Sequence, residues 1–260
     1  MSTAQLAVVT GASTGIGLEL AKRFALYGHD LIVCANESRI VEVAEQLRTQ
    51  VNVEVVEADL GTRAGIDALW SAIGDRDVDY LCANAGIGLG HAFLEQDWDD
   101  VKPVIDLNVA GTTALLHRTI RKMRQRGEGR ILITGSIAGL MPGSFQAVYN
   151  ATKAYLDNLS WALRNEVQDT GITVTCLMPG PTDTEFFSRA GMEDTPVGQS
   201  DGKADPAAVA KAGYDAMMRG SSGVTPGMMN KIQAAMANIL PDSVMAQLHR
   251  RMAEPNSGGK

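Results

Sequence analysis

The chain has 260 residues, of which 45% are hydrophobic, and it carries a formal net charge of −7. This length suits a single α/β domain with a buried core, and the acidic balance argues against nucleic-acid binding. Because no apolar run could span a bilayer and no basic signal-like segment opens the chain, a cytoplasmic protein without membrane contact is expected.

Short β-branched runs alternate with longer helical segments. The runs lack the apolar–polar alternation of half-exposed strands, which indicates strands buried on both faces. The predicted strands are 6–10, 30–35, 53–58, 80–84, 129–134 and 173–178. The predicted helices are 17–27, 38–50, 64–73, 99–126, 147–169 and 205–219. This order predicts one α/β domain over 1–260, a doubly wound parallel sheet in three layers, with ligands at the carboxyl ends of the strands.

The first predicted strand leads into a glycine-rich turn. Gly11, Gly15 and Gly17 follow that strand and precede a helix, so backbone N–H groups and the helix N-terminus would face an anion such as pyrophosphate. Glycine is needed where side chains would block close approach. The spacing differs from the common G-x-G-x-x-G pattern, and a plain glycine turn is the alternative.

Three cysteines are spread along the predicted strands. Cys34, Cys82 and Cys176 each lie in or beside an apolar run. Buried strand cysteines are therefore favoured over a disulfide or a metal site, as in a reducing compartment, and no metal is predicted.

A tyrosine and a lysine lie four residues apart in the predicted helix 147–169. Tyr149 and Lys153 therefore share one helix face. An ammonium beside a phenol would favour the phenolate and lower the tyrosine pKa, as a proton-transfer catalyst requires.

The turn and this pair together resemble the short-chain dehydrogenase/reductase family, whose turn reads T-G-x-x-x-G-x-G. Further motifs match in the family's order: Asp59-Leu60, Asn84-Ala85-Gly86, Leu107-Asn108-Val109, Gly135-Ser136 and the segment 179–184. The resemblance covers about residues 5 to 187. It implies a Rossmann-type fold and an NAD(P)(H)-dependent oxidoreductase that interconverts a ketone or aldehyde and an alcohol.

The resemblance implies a nicotinamide dinucleotide across the strand ends. Asp59 would bond the adenine, Asn84 would line the ribose, and 179–184 would hold the nicotinamide; a helix cap is the alternative role of Asp59. The implied cofactor-binding residues are Gly11, Ser13, Thr14, Gly15, Ile16, Asn36, Ser38, Arg39, Asp59, Leu60, Asn84, Ala85, Gly86, Tyr149, Lys153, Pro179, Gly180, Thr182 and Thr184.

The end of the second predicted strand bears on the choice of dinucleotide. Ala35 stands where the family's NAD-type aspartate usually lies, and Asn36 where the NADP-type arginine lies. Asn36, Ser38 and Arg39 could hold a 2′-phosphate, whereas Glu37 would oppose it. The sequence favours NADP(H) slightly over NAD(H), and both remain open.

Four residues carry the chemistry that the resemblance implies. Tyr149 would be the general acid/base, and Lys153 would lower its pKa and hold the nicotinamide ribose. Ser136 would stabilise charge on the substrate oxygen, and Asn108 would steady a water chain from Lys153. A catalytically silent dinucleotide-binding regulator is the alternative, since fold alone does not fix function.

The family places the substrate pocket around the segment between Ser136 and Tyr149. One wall would be lined by Leu140, Met141, Phe145 and Gln146, and the other by Phe187 and a substrate lid over 188–203. These residues favour a medium-sized, largely apolar small-molecule ketone or secondary alcohol.

Past residue 219 the chain resembles a branch of the family with V-x-P-G and C-terminal helices in place of the seventh strand. The C-terminal helices are predicted over 224–252, and a frayed tail over 254–260. An apolar stripe there includes methionines 217, 218, 228, 229, 236, 245 and 252. Core or pocket lid is the favoured interpretation; a partner surface or contact with a membrane or lipid substrate is the alternative. The family also implies a homodimer, through the helices carrying Asn108 and Tyr149, or a homotetramer.

Overall fold

Seven strands form one parallel sheet in a computed structural model, which describes residues 4–237 and 239–258. The strand order is β3-β2-β1-β4-β5-β6-β7. The strands are β1 (Leu6–Thr10), β2 (Asp30–Ala35), β3 (Val53–Glu57), β4 (Tyr80–Ala83), β5 (Glu128–Thr134), β6 (Gly171–Leu177) and β7 (Gly223–Val224). The order reverses between β1 and β4, where an open parallel sheet leaves a crevice at the carboxyl ends of its strands.

Helices cover both faces of the sheet and complete the predicted three layers. The helices are α1 (Gly15–Leu26), α2 (Arg39–Leu47), α3 (Arg63–Ile73), α4 (Trp98–Ile105), α5 (Thr112–Arg126), α6 (Ala147–Glu166), α7 (Phe186–Arg189), α8 (Pro196–Gln199), α9 (Pro206–Met218), α10 (Met228–Ala237) and α11 (Asp242–Ala253). One core joins the sheet to α1, α2 and α9, and the other joins it to α3, α5 and α6. The doubly wound Rossmann-type prediction is confirmed.

The six predicted strands are all present, but the predicted helix 99–126 is not uniform. A π-helical turn, Asp106–Gly111, separates α4 from α5. Pro103 lies in the preceding helix, and a Cβ at Gly111 would lie 2.0 Å from the carbonyl oxygen of Leu60. The backbone of the π-helical turn therefore contacts the backbone of the turn between β3 and α3. The same π-helical turn places Asn108 in the protein interior.

The C-terminal region corrects one prediction. The sequence predicts helices in place of a seventh strand, whereas β7 pairs with β6 through Cys176–Gly223 and Leu177–Val224, and α10 and α11 follow it. A strand of two residues is too short to give a periodic signal.

The methionine stripe divides between core and surface. Met217 and Met245 are buried, and Met252 reaches the cleft described below. On α10, by contrast, Met228 and Met229 are 71% and 75% exposed. The core-or-lid interpretation is therefore right for these residues of α9 and α11 and wrong for the start of α10. Across the described ranges, no helix is both long and apolar enough to cross a membrane.

The predicted lid and the predicted tail contact each other. Met192 and Thr195 of segment 188–203 are buried, and the backbone N–H groups of Asn256 and Gly258 bond to Asp194 at 2.8 and 3.0 Å. The described tail residues are thus hydrogen-bonded and do not show the predicted fraying. Residues 259–260 lie outside the described residues.

Candidate active site

A cleft of about 510 Å³ follows the carboxyl ends of the strands. We call the part bounded by the β1–α1 turn, Asn36 and Asp59 the nucleotide half, and the part bounded by Met141, Gln146 and α11 the substrate half. Predicted site residues that line the cleft are Gly11, Ser13, Thr14, Gly15, Ile16, Asn36, Asp59, Leu60, Asn84, Ala85, Gly86, Ser136, Met141, Gln146, Tyr149, Lys153, Pro179, Gly180, Thr182, Thr184 and Phe187.

The glycine turn brings backbone close together at the nucleotide half. Gly11 has φ +63°, which favours glycine, and a Cβ at Gly17 would lie 2.0 Å from the Gly11 carbonyl oxygen. Thr14 precedes α1 in an extended conformation without a side-chain capping bond, and no acidic residue occupies the first turn. The first N–H groups of α1 therefore lack a side-chain partner and fit an anionic group such as pyrophosphate.

Asn84 braces the strand ends with its side chain. Its Nδ2 donates to the carbonyl oxygen of Thr10 at 3.1 Å, and its Oδ1 accepts from the Thr134 hydroxyl at 3.0 Å. The amide is thus bonded between β1 and β5.

Asp59 lies in the cleft wall at the end of β3. Its Oδ1 accepts from the Gly61 N–H at 2.8 Å, while the Thr62 hydroxyl accepts from the Gly65 N–H at 3.0 Å and caps α3. The alternative that Asp59 caps this helix is therefore wrong.

Four charged side chains form an ion-pair cluster at the mouth of the nucleotide half: Glu37, Arg39, Glu185 and Arg189. Arg39 donates to Glu185 at 2.6 Å, and Arg189 donates to Glu37 at 3.0 Å. The Ser13 hydroxyl also donates to Glu37, at 2.5 Å, and this bond lowers the pKa of that carboxyl.

Two predicted cofactor residues do not reach the cleft wall. Ser38 and Arg39 lie outside its lining, whereas Glu185 and Arg189 are part of it. The sequence does not indicate that Glu185 and Arg189 lie here, because about 150 residues separate them from the second strand. The crossover connections of the fold bring them together.

Tyr149 and Lys153 lie on one face of α6 at the centre of the cleft, as predicted. Both are buried, and the Lys153 Nζ lies 5.8 Å from the centroid of the Tyr149 ring. The ammonium donates to the carbonyl oxygen of Thr134 at 2.7 Å, and burial lowers the pKa of Lys153 to about 8.

Burial raises the pKa of Tyr149 well above its ordinary value, and the bond from Ser136 only partly opposes this. The expectation of a lowered tyrosine pKa is therefore wrong for the chain by itself. Desolvation of the phenolate outweighs the contribution of Ser136, and the negative charge of Asp157 raises the pKa further.

Ser136 lies beside the tyrosine at the end of β5. Its hydroxyl accepts from the Ala138 N–H at 3.1 Å and donates to the carbonyl oxygen of Pro179 at 3.3 Å. These bonds fix the serine between the fifth and sixth strand ends.

Asn108 supports this centre from behind the cleft. It is fully buried, its Oδ1 accepts from the Ile87 N–H at 3.0 Å, and its Nδ2 donates to the Thr152 hydroxyl at 3.0 Å. The side chain thereby joins the loop after β4 to α6. The water chain that the resemblance implies stays a prediction.

Asp157 is a site residue absent from the predictions, although it follows Lys153 by one helical turn. Its Oδ1 accepts from the Ser136 N–H at 3.3 Å and from the Cys176 thiol at 3.4 Å. Its buried Oδ2 has no hydrogen-bond partner within the described residues, and burial raises the pKa of this carboxyl to about 6. The i, i+4 spacing after Lys153 is the signal that could have found it.

The substrate half differs most from the prediction. Met141, Gln146 and Phe187 line it, but Leu140 and Phe145 do not. Leu140 ends a 3₁₀ turn, and Phe145 has φ +64° and packs against Arg250, and neither belongs to the cleft wall. The wall also contains Val197 of the predicted lid and Gln233, His249 and Met252 of the predicted C-terminal helices, together with Phe186 and Ala253, which lie outside the prediction.

Comparisons with known proteins agree with this architecture. The short chain dehydrogenase family profile matches residues 5–196. An oxidoreductase from Staphylococcus epidermidis is 34% identical over 183 residues, 69% of this chain and 79% of that protein. Sulfoacetaldehyde reductase 2 from Chromohalobacter salexigens is 32% identical over 186 residues, 70% of this chain and 74% of that protein.

Solved structures extend the likeness beyond residue 196. A short-chain dehydrogenase from Sphingobium yanoikuyae in complex with NADPH superposes with a TM-score of 0.81 at 28% identity, over 91% of this chain and 96% of that one. The bulky-bulky ketone specific alcohol dehydrogenase from Comamonas testosteroni superposes with a TM-score of 0.78 at 25% identity, over 93% of this chain and 97% of that one.

Proposed function

The chain belongs to the short chain dehydrogenase family and interconverts carbonyl and alcohol groups with NAD(P)(H), and we propose that Tyr149 is its general acid/base. The observation that carries this proposal is the meeting of Tyr149, Ser136 and Lys153 in one cleft with the glycine turn. The apolar side chains of Met141 and Phe187 support a medium-sized, largely apolar ketone or secondary alcohol as substrate.

In the proposed mechanism the protein's own residues hold and move the proton. The bound nicotinamide supplies or accepts the hydride. The raised pKa of Tyr149 keeps its hydroxyl protonated, which is the form that donates a proton during carbonyl reduction. When substrate binds, the Ser136 hydroxyl turns its hydrogen from the carbonyl oxygen of Pro179 to the substrate oxygen and stabilises the charge that develops there. Lys153 stabilises the phenolate that remains and is held in place by Thr134.

We propose that NADP(H) is slightly favoured over NAD(H). Arg39 and Arg189 supply two guanidinium groups in the ion-pair cluster at the mouth of the nucleotide half, and arginine suits a 2′-phosphate. Glu37 opposes this preference, but its carboxylate is already bonded to Ser13 and Arg189.

Absorbance at 340 nm tests this function. The protein is mixed with NADPH or NADH, separately, and with a panel of apolar ketones. We expect oxidation of the dinucleotide with ketones, faster with NADPH. A protein that binds dinucleotide but turns over no ketone or alcohol would instead be the catalytically silent regulator.

We also propose a homo-oligomer, a dimer or a tetramer, formed through the helices carrying Asn108 and Tyr149. Tyr155 and Trp161 on α6 support it, because they expose large aromatic surfaces, 39% and 44%. Light scattering coupled to size exclusion tests this, and a monomer at micromolar concentration would contradict it.

A cytoplasmic location is proposed from the cysteines. Cys34, Cys82 and Cys176 are all free and buried, which suits a reducing compartment. Fractionation of cells that express the chain would test it, and recovery outside the cytoplasm would contradict it.

A further inference from the structure

Two buried residues at the border of the substrate half each leave a polar group without a hydrogen-bond partner among the described residues: the amide of Gln146 and Nε2 of His249. Gln146 is 6% exposed and His249 is 5% exposed, and both line the cleft. Polar groups that line a cleft and have no partner in the protein can hydrogen-bond there only to solvent or to a ligand.

Gln146 precedes α6, three residues before Tyr149. Its backbone bonds to Gly143 and Asn150, but its side chain makes no capping bond to the helix. Within the described residues its amide has no hydrogen-bond partner. The amide can both donate to a ligand and accept from it.

One ring nitrogen of His249 is hydrogen-bonded to the protein and fixes the orientation of the ring. Its Nδ1 lies 2.9 Å from the carbonyl oxygen of Ser144. A carbonyl oxygen only accepts, so Nδ1 carries the hydrogen, and Nε2 of the neutral ring is an acceptor. Nε2 has no hydrogen-bond partner within the described residues, and burial lowers the pKa of this imidazole, which keeps it neutral at pH 7.

These two groups lie in the same part of the cleft wall. The carbonyl oxygen that is bonded to His249 belongs to Ser144, two residues before Gln146. We propose that Gln146 and His249 form a subsite for a neutral hydroxyl group on the substrate, distinct from the reacting carbonyl. The hydroxyl donates its hydrogen to Nε2 of His249 and accepts one from the amide of Gln146. The proposal rests on the proposed function and adds that the apolar ketone carries a second oxygen.

The charges of the cleft argue against an anionic group at this place. Among the described residues, two lysine or arginine side chains line the cleft, and both are engaged: Lys153 with Thr134, and Arg189 with Glu37. A carboxylate or sulfonate would meet the lone pair of His249 and no free cation. A neutral hydroxyl fits both partners.

The test is a series of straight-chain methyl ketones, each compared with its terminal-hydroxyl and terminal-carboxylate analogues. The readout is the ratio of kcat/KM for the hydroxyl analogue to that for the parent ketone. At the best chain length we expect the hydroxyl analogue to be preferred about tenfold, as two net hydrogen bonds allow, and the carboxylate analogue to be the poorest.

Two variants remove one partner each. His249→Asn keeps a donor for the Ser144 carbonyl oxygen but lacks Nε2, and Gln146→Met keeps the side-chain length without the amide. Each should reduce the preference to about twofold or less. A general loss of activity leaves the ratio unchanged, so a partly misfolded variant does not imitate this result. The matched control is Gln233→Met, since Gln233 also lines the cleft but its amide already contacts Met252; it should keep the preference.

Equal use of parent and hydroxyl ketone by the wild type would overturn the subsite, as would preference for the carboxylate or a preference unchanged in both variants. Loss in Gln146→Met alone would overturn the part assigned to His249. Failure of the proposed function looks different, because then no ketone of any kind would be reduced.

Discussion

In the nucleotide half of the cleft Asn84 and Glu37 are hydrogen-bonded to the chain itself, whereas in the substrate half the amide of Gln146 and Nε2 of His249 have no partner among the described residues. Asn84 is tied to Thr10 and Thr134, and Glu37 to Ser13 and Arg189. Gln146 and His249 leave an amide and a ring nitrogen free among the described residues. The nucleotide half is therefore preorganised for the dinucleotide, whereas the substrate half depends on the substrate for its hydrogen bonds.

The two halves also differ in the elements that build them. The nucleotide half comes from turns that directly follow β1, β2 and β3. The substrate half joins the loop before α6 to α7, α10 and α11, and the last two lie beyond the family match that ends at residue 196. Variants that affect one half without the other can therefore test whether the two halves act separately.

Tyr149→Phe should give the largest effect. Without the proposed proton donor, kcat should fall about a thousandfold or more, while the dissociation constant for NADPH stays within about twofold. Stopped-flow absorbance and fluorescence titration measure the two quantities. Tyr155→Phe is the matched control, since Tyr155 lies on the same helix with its hydroxyl bonded to Thr113. Equal losses in turnover and in dinucleotide binding would show that the halves are not separable.

Ser136→Ala should be next in size. Removing a preorganised donor to the substrate oxygen should lower kcat about a hundredfold, again with little change in NADPH binding. Ser188→Ala, which removes an exposed hydroxyl bonded to Glu185, should be nearly silent. If Ser136→Ala raised only KM and left kcat intact, the serine would bind substrate without stabilising charge.

Asp157→Asn tests the buried carboxyl between the halves. Its pKa is raised from 3.8 to about 6, so between these pH values the folded protein keeps a proton that the unfolded chain releases. The contribution of Asp157 to the free energy of unfolding should therefore fall as pH rises from about 4 to about 6, by up to about 3 kcal/mol. The Asn variant should lack this contribution.

Urea unfolding of wild type and variant at a series of pH values measures the difference. The exposed Asp201→Asn is the control. Parallel curves for wild type and Asp157→Asn would mean that the carboxyl titrates in the folded protein as it does in the unfolded chain.

Arg39→Ala should have the smallest effect. Its guanidinium is about half exposed and already paired with Glu185, and such pairs contribute at most about 1 kcal/mol. We expect up to about fivefold weaker NADPH binding, unchanged NADH binding and unchanged kcat. Arg48→Ala removes another exposed, paired arginine as a control. Equal weakening of both dinucleotides, or of neither, would remove Arg39 from the proposed phosphate site.

The sequence predicts the parts of this site that depend on short-range geometry. A glycine turn after a buried strand and a tyrosine four residues before a lysine occupy positions that local backbone rules fix. The parallel sheet with helices on both faces, and a cleft at the carboxyl ends of its strands, follow from the βαβ pattern and right-handed crossovers. These predictions are confirmed.

The remaining parts depend on packing between distant segments. The pairing of Glu37 with Arg189 and the position of His249 beside Ser144 arise only once the chain is folded. Leu140 and Phe145 are expected in the pocket from the family resemblance, and a 3₁₀ turn and a positive φ change which way such side chains face. The pKa of Tyr149 depends on how deeply its phenol group is buried, and residue spacing does not reveal that.

The central claim, hydride transfer in this cleft, is tested most directly by isotope transfer. NADPH deuterated at the nicotinamide C4 is incubated with a ketone that the enzyme reduces, once with each C4 epimer, and the alcohol is examined by NMR. We predict deuterium on the carbinol carbon with one epimer and hydrogen with the other. Hydrogen at that carbon with both epimers, with deuterium retained in the dinucleotide, would contradict the account.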